Sequence, residues 1–161
     1  MKSKPQNSHI RLAQTSDLLA VVALVNRAYR VEDFIFDKER TNLAEIEDMS
    51  KKAQFLILES EAGQLLGSVY IEKRAERAYM GMLAIAPDQQ GKGLGTILVA
   101  AAENHARELG CTELDLRVVS PRTELPGYYR RFGFVETHTE PPHVDVPSKI
   151  PWHLIYMSKR L

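Results

Sequence analysis

The spacing of apolar residues in the first half of the chain predicts two helices that lie between a short strand and three longer ones. Apolar side chains recur every three or four residues from Leu18 to Tyr29, which is the period of an amphipathic helix. After residue 52 the pattern changes to short apolar runs rich in β-branched residues, which is typical of strands. The predicted elements are a strand over 10–12, helices over 18–29 and 42–52, and strands over 54–59, 65–73 and 78–85.

The second half of the chain returns to the helical period and ends in strands. A long helix starts at Gly93 and stops at Gly110, since glycine commonly ends helices. Pro87 ends the strand before it, and Gly81 within that strand predicts a β-bulge. The remaining elements are a strand over 113–119, a short helix over 126–132, and strands over 134–139 and 152–159.

The order of these elements, β-α-α-β-β-β-α-β-α-β-β, predicts an α/β (α+β) fold with a mixed central sheet of about seven strands. No repeat, low-complexity tract or Gly/Ser linker divides the 161 residues. The length is close to that of a typical domain. We therefore expect one domain over residues 1–161.

Composition and charge argue against several classes of protein. The 21 basic and 21 acidic residues balance, so the overall charge does not favour binding to nucleic acid. The longest apolar run, 18–25, is far shorter than the roughly 20 residues that span a bilayer, so we expect no membrane insertion. The start of the chain lacks the apolar segment of a secretory signal, which favours the cytoplasm. Cys111 has no second cysteine to pair with and is interpreted as a small buried apolar residue.

The stretch most informative about chemistry is residues 84–96, AIAPDQQGKGLGT. It runs from the end of a strand through three glycines to the start of a helix, where backbone N–H groups can converge on a phosphate. A Walker loop does not fit, because Lys92 precedes a glycine rather than Ser or Thr. The dinucleotide fingerprint fails at Thr96 and Leu98. A glycine-rich turn without a ligand is the alternative at this point.

Two separate motifs resemble those of the GNAT acyltransferase superfamily. Gln90-x-x-Gly93-x-Gly95 after a strand is similar to the acyl-CoA signature of that superfamily. Residues 128–134, YYRRFGF, resemble its aromatic-Tyr-x-x-x-Gly-Phe segment and follow at the expected distance. The resemblance covers residues 78–135, and it implies a single-domain GNAT-like fold with acetyl-CoA (CoA) as the cofactor.

The resemblance also implies roles for individual residues. Tyr129 matches the position that protonates the departing CoA thiolate, a role that suits a phenol with a pKa near 10. Packing on the cofactor or in the core is the alternative for Tyr129. The strand before the loop would bind the pantetheine arm, and the loop would wrap the pyrophosphate. The expected cofactor-binding residues are Leu83, Ala84, Ile85, Gln90, Gly91, Lys92, Gly93, Leu94, Gly95 and Thr96.

The reaction that the resemblance implies is N-acetylation of a primary amine of a small molecule or peptide, by direct attack within a ternary complex. The base that accepts the proton of the amine is left open, because residues 78–83 include no acid. That absence motivates an alternative function, a non-catalytic acyl-CoA-binding or sensor domain, and a plain structural domain is a third hypothesis. The candidate bases, each of which also fits a solvated surface charge, are Glu32, Asp33, Glu72 and Asp115.

The resemblance implies that two loops form the acceptor regions. Residues 32–37 mix acidic and aromatic side chains, which would suit a cationic amine with an apolar body. The Pro-rich loop near the end carries a second group that solvation explains equally well: His138, Glu140, His143 and Asp145. The five histidines show no metal-ligand spacing, so we predict no metal site. The resemblance also implies a possible homodimer through the C-terminal strands.

Overall fold

The computed structural model describes residues 7–142 and 146–161, and its elements follow the predicted order. The observed bounds agree closely with the predicted ones. One of the largest differences is in the first strand, which starts at Ser8 rather than at residue 10. The strands are β1 (Ser8–Leu12), β2 (Gln54–Ser60), β3 (Leu65–Arg74), β4 (Arg77–Ile85), β5 (Glu113–Val119), β6 (Val135–Glu140) and β7 (Leu154–Arg160). The helices are α1 (Leu18–Ala28), α2 (Leu43–Lys52), α3 (Leu94–Glu108) and α4 (Leu125–Arg130).

Short 3₁₀ turns are the elements that the periodicity did not predict. They span Thr15–Asp17, Tyr29–Glu32 and Pro87–Gln89, and one turn is too short to produce a repeating pattern. The second of them takes Tyr29 out of α1 and turns Glu32 toward the centre of the molecule, where only 7% of that residue is exposed.

All seven strands form one sheet in the order β1-β2-β3-β4-β5-β7-β6, which confirms the predicted mixed α/β fold. Neighbouring strands are antiparallel except for β4 and β5, which are parallel. That parallel pairing covers only residues 77–79 of β4 and 113–115 of β5. Beyond them β5 continues to pair with β7, and β4 continues to pair with β3. The two central strands therefore part toward their carboxyl ends and leave a gap between them.

A β-bulge interrupts β4 inside this gap. The register with β3 shifts between Ser68, which faces Ala84, and Tyr70, which faces Gly81. The shift places Met82 and Leu83 opposite a single residue of β3, and Met82 has a φ of +49°. The bulge predicted from Gly81 is thus present, but the left-handed backbone falls on the methionine beside it.

Two apolar cores hold the helices against opposite faces of the sheet. On one face, Leu98, Val99 and Ala102 of α3 pack with Leu114 and Leu116 of β5. That core also includes Cys111, which is 5% exposed, so its prediction as a buried apolar residue is confirmed. On the other face, α1 and α2 pack on strands β2 to β4.

Two charged side chains of β5 point away from α3. Leu114, Leu116 and Val118 of β5 belong to the α3 core, so Asp115 and Arg117 project from the opposite face of the sheet.

In the described part of the chain, no helix is long and apolar enough to cross a membrane.

Candidate functional site

A cleft of about 1520 Å³ lies where β4 and β5 part. Its floor is formed by β4 from Tyr79 to Ile85 and by β5 from Arg117 to Val119. The glycine loop, which contains Gly91 and Gly93, borders one end together with the start of α3. The segment between α1 and α2 borders the other end. One opening therefore joins the predicted cofactor loop to a predicted acceptor loop.

The glycine loop is held open toward the cleft by left-handed backbone. Gly91 and Gly93 have φ values of +78° and +79°, which residues with a Cβ rarely adopt. A Cβ built at either position would meet no atom within 4 Å, so there is open space beside both. This shape leaves room for a ligand against the backbone of the loop.

The first turn of α3 presents unpaired backbone donors at the same place. Gly93 is the N-cap of the helix and supplies no side chain to bond the N–H groups that follow. The first amides of a helix have no intrahelical acceptor, and the positive end of the helix dipole lies there. A phosphate or pyrophosphate fits these donors without a basic side chain.

The cleft lining includes most of the predicted cofactor residues. Gln90 donates from Nε2 to the carbonyl of Ile85 at 3.3 Å, which ties the loop to the end of β4. Lys92 is placed differently: its ammonium donates to Gln89 Oε1 at 3.2 Å, and its side chain does not border the cleft. The predicted residues that line the cleft are Leu83, Ala84, Ile85, Gln90, Gly91, Gly93, Leu94, Gly95, Thr96 and Tyr129.

The edge of β4 that faces the gap is a second set of backbone groups. After Tyr79 this edge has no strand beside it, so its N–H and C=O groups are available to a ligand. Met82 lies on this edge at the bulge and was not among the residues predicted from the sequence. The only signal for it in the sequence was the adjacent Gly81, because a methionine does not itself indicate a left-handed conformation.

Tyr129 lies at the wall of the cleft, 8% exposed. Its ring packs against Tyr128 and Phe134, with ring centroids 5.1 and 5.9 Å away. Burial raises the pKa of Tyr129 well above its ordinary value of 10, so the phenol keeps its proton at neutral pH. Tyr129 therefore packs against neighbouring rings and also lines the cleft.

Glu32 differs from the other three candidate bases in its surroundings. It lies in the cleft wall and is buried, which raises its pKa in spite of an ion pair with Arg122 at 2.9 Å. Asp115 is bonded by Arg77 and Ser158 at 2.5 Å each, and these contacts outweigh its burial and lower its pKa.

The remaining two candidate bases lack the surroundings of Glu32. Glu72 lines the cleft, but it accepts hydrogen bonds from Tyr70 at 3.0 Å and from Arg74 at 3.1 Å, and its pKa is lowered despite partial burial. Asp33 is exposed and does not line this cleft.

The acceptor end of the cleft is closed by the chain before β7. Ser148 forms a β-bridge with Phe36, and Lys149 donates from its backbone N to Ile35 O at 2.7 Å. Phe36 also packs edge to face on Trp152, with ring centroids 5.1 Å apart. The two predicted acceptor loops therefore meet in an apolar wall.

The predicted histidine cluster is only partly described. His138 stacks on Tyr156 with ring centroids 4.5 Å apart and lies 3.3 Å from Glu140. His143 and Asp145 lie outside the described residues. Over residues 7–142 and 146–161, no group of three or more His, Cys, Asp or Glu side chains is arranged to hold a metal ion.

Comparison with known proteins agrees with this geometry. Residues 19–134 match the Acetyltransferase (GNAT) family, and the chain therefore belongs to that family. Mycothiol acetyltransferase from Propionibacterium freudenreichii subsp. shermanii is 34% identical over 98 residues, which are 58% of this chain and 31% of that protein. Mycothiol acetyltransferase from Saccharopolyspora erythraea is 29% identical over 140 residues, which are 84% of this chain and 46% of that protein. This chain thus spans less than half the length of either relative.

The fold is shared with solved acetyltransferase structures. The structure of yncA from Salmonella typhimurium, determined with its cofactor acetyl-CoA, aligns with a TM-score of 0.74 and 24% identity. The alignment covers 96% of this chain and 94% of that one. This likeness extends over the sheet and helices that form the cleft.

Gly95 offers a test of how tightly the start of α3 packs. A Cβ at this position would collide with the Tyr128 hydroxyl, whereas one at Gly127 in α4 would meet nothing within 4 Å. Glycine-to-alanine changes in helices usually stabilise by up to about 1 kcal/mol. We expect that gain from Gly127→Ala and a net loss from Gly95→Ala, measured by denaturant unfolding.

The double variant Gly95→Ala/Tyr128→Phe separates the collision from other causes. Removing the hydroxyl should restore stability toward that of Tyr128→Phe alone. Equal stability of Gly95→Ala and Gly127→Ala would contradict the packing described here.

Proposed function

We propose that this chain transfers an acetyl group from acetyl-CoA to a primary amine of a small molecule or peptide. The observation that carries the proposal is the parting of β4 and β5 beside the uncapped start of α3, which gives one cleft with a phosphate site and an acceptor end. Membership of the acetyltransferase family and the acetyl-CoA present in the yncA structure support the same cofactor.

The residues present fit the two chemical parts of acetyl-CoA that need polar partners. The loop of Gly91 and Gly93 offers open space and backbone N–H groups to the pyrophosphate, and the free edge of β4 offers hydrogen-bonding groups to the amides of the pantetheine arm. The cofactor, when bound, supplies an activated acetyl thioester. The bulge at Met82 leaves β4 locally unpaired within the cleft, and an N–H group there suits a carbonyl oxygen that gains negative charge.

Tyr129 is the proposed general acid. Its raised pKa keeps the hydroxyl protonated at neutral pH, and the residue lines the cleft. A phenol in this state can donate a proton to a leaving thiolate.

Glu32 is the proposed base, acting directly or through water. It is the candidate carboxylate that combines burial, a place in the cleft wall and a raised pKa, which brings its basicity closer to neutral pH. Arg122 contacts Glu32 from across the cleft and fixes its position. This assignment removes the main motive for the alternative function, a non-catalytic sensor domain, because an acid is present although β4 lacks one.

A cytoplasmic location and a homodimer remain parts of the proposal. Acetyl-CoA is an intracellular cofactor, which supports the first. For the second, β6 is the last strand of the sheet, and an outer strand edge can pair with that of another copy.

The cofactor site is tested by Gly93→Asp. This change strains a left-handed position and places a negative charge where the pyrophosphate would lie, so we expect at least about 100-fold weaker acetyl-CoA binding by calorimetry. Gly63→Asp is the matched control, since Gly63 has a φ of +82°, equally open surroundings and a place in the β2–β3 turn. Equal affinity of the two variants would refute the loop assignment.

The role of Tyr129 is tested by Tyr129→Phe. We expect kcat, measured as thiol release from acetyl-CoA with an amine panel, to fall by about 10- to 100-fold. The KM for acetyl-CoA should stay within about threefold, because the ring that packs in the wall is retained. Unchanged turnover would show that Tyr129 only packs. Acetyl-CoA binding by the wild type without turnover of any amine would favour the sensor domain.

The pH dependence of kcat/KM tests Glu32. Since the base must be ionised, activity should fall as the pH drops through the pKa of Glu32, and burial places that fall above the usual range of a glutamate. Glu32→Gln should lower kcat/KM about 100-fold and remove this acidic limb. Asp33→Asn, on the exposed neighbour, is the control and should change kcat/KM by less than about twofold. An acidic limb that persists in Glu32→Gln would assign the base elsewhere.

A further inference from the structure

Tyr79 and Arg117 form a pair at the centre of the cleft, just beyond the point where the strands part. Tyr79 is the last residue of β4 that pairs with β5, and Arg117 lies two residues beyond its partner Asp115. Both side chains project from the face of the sheet opposite α3. The Tyr79 ring lies between two guanidinium groups, 4.3 Å from that of Arg74 and 5.7 Å from that of Arg117.

The carboxylates around this pair are engaged with other cations. Glu72 contacts Arg74 at 3.1 Å, and Glu32 contacts Arg122 at 2.9 Å. Asp115, the acid of β5 nearest to Arg117 along the strand, forms an ion pair with Arg77 instead, at 2.5 Å. These contacts leave the acids already neutralised by charges other than that of Arg117.

Arg117 by contrast has no carboxylate within ion-pair distance among the described residues. Its polar partners are two phenols: Nη1 donates to the hydroxyl of Tyr156 at a long 3.4 Å, and the guanidinium also interacts with Tyr79. Arg117 is exposed and lines the cleft. A guanidinium with free donors binds a carboxylate through two parallel hydrogen bonds.

The position of the pair relates this charge to the proposed reaction. A Cβ built on Gly81 would lie 3.2 Å from the Tyr79 hydroxyl, so the phenol extends along β4 over Gly81 toward the bulge at Met82. The bulge is where the acetyl group would be held. A cationic side chain beside the bulge is suited to an anionic group of the acceptor that lies close to the reacting amine.

We propose that the acceptor is a small amino acid whose carboxylate binds Arg117, rather than an amine without an anionic group or the amine of a peptide. This inference rests on the proposed acetyltransferase function and specifies its substrate class. The apolar wall of Phe36 and Trp152 faces the same end of the cleft and suits an apolar side chain on that amino acid.

The test compares α-amino acids that have apolar side chains with their amides, which keep the amine and lose the charge. Thiol release is measured for the wild type, Arg117→Gln and Arg117→Lys, and calorimetry measures binding of the same compounds to the protein with CoA. The wild type should use and bind each acid better than its amide. In Arg117→Gln, kcat/KM for the acids should fall about 10- to 100-fold, while that for the amides changes by less than about threefold.

Arg117→Lys should fall between the wild type and Arg117→Gln, because it keeps the charge and loses the two-pronged geometry. Arg107→Gln, on the exposed side of α3, is the control and should match the wild type. Acids and amides used equally by the wild type would overturn the inference. Equal losses of activity on the acids and on the amides in Arg117→Gln would also overturn it. So would weaker acetyl-CoA binding by Arg117→Gln without a selective loss on the acids.

Acetyl-CoA affinity, measured on the same samples, separates the two proposals. If no acid is bound or acetylated while acetyl-CoA still binds, the substrate class proposed here is wrong and the cofactor site is unaffected. If acetyl-CoA does not bind, the proposed function itself fails.

Discussion

The limited pairing between β4 and β5 is the constraint on which the rest of the structure depends. β5 pairs along its outer side with β7, and β4 pairs with β3 except at the bulge. The two strands pair with each other only over residues 77–79 and 113–115. Their facing edges beyond that point carry backbone groups that a closed apolar core would not tolerate. The gap can persist because it opens to solvent as a cleft, and a ligand with amide groups can occupy it. The cofactor proposal and the acceptor proposal both follow from this opening.

The buried pair of Glu32 and Arg122 joins the two sides of that opening. Glu32 lies in the segment after α1, and Arg122 lies in the loop after β5. Burying the two charges costs free energy that their attraction repays only when the geometry is good, so the pair is weak evidence for stability. It has a clearer consequence for chemistry, because burial raises the pKa of the carboxylate while the arginine holds it in the wall.

Much of the fold could be predicted from the sequence because its signals are local. The apolar period of 18–29 and the alternation of 113–119 each describe one element, and the structure has both with nearly the predicted bounds. The glycine loop was also predicted, because left-handed positions such as Gly93 favour one residue type. The left-handed backbone was found one residue away from the glycine that indicated the bulge, because the register shift falls after Gly81, at Met82 and Leu83.

The sequence by itself therefore determined the order of elements, the family and the position of the glycine loop that is proposed to bind phosphate. The tertiary structure decided which candidate base is buried in the cleft wall, and it left Arg117 there without a carboxylate partner among the described residues. Glu32 and Arg122 are 90 residues apart, and Arg117 and Tyr156 are 39 apart, so no local pattern relates them. Whether a charge is buried, paired or free depends on the side chains that the fold brings around it, and that information exists only once the strands have been placed beside one another.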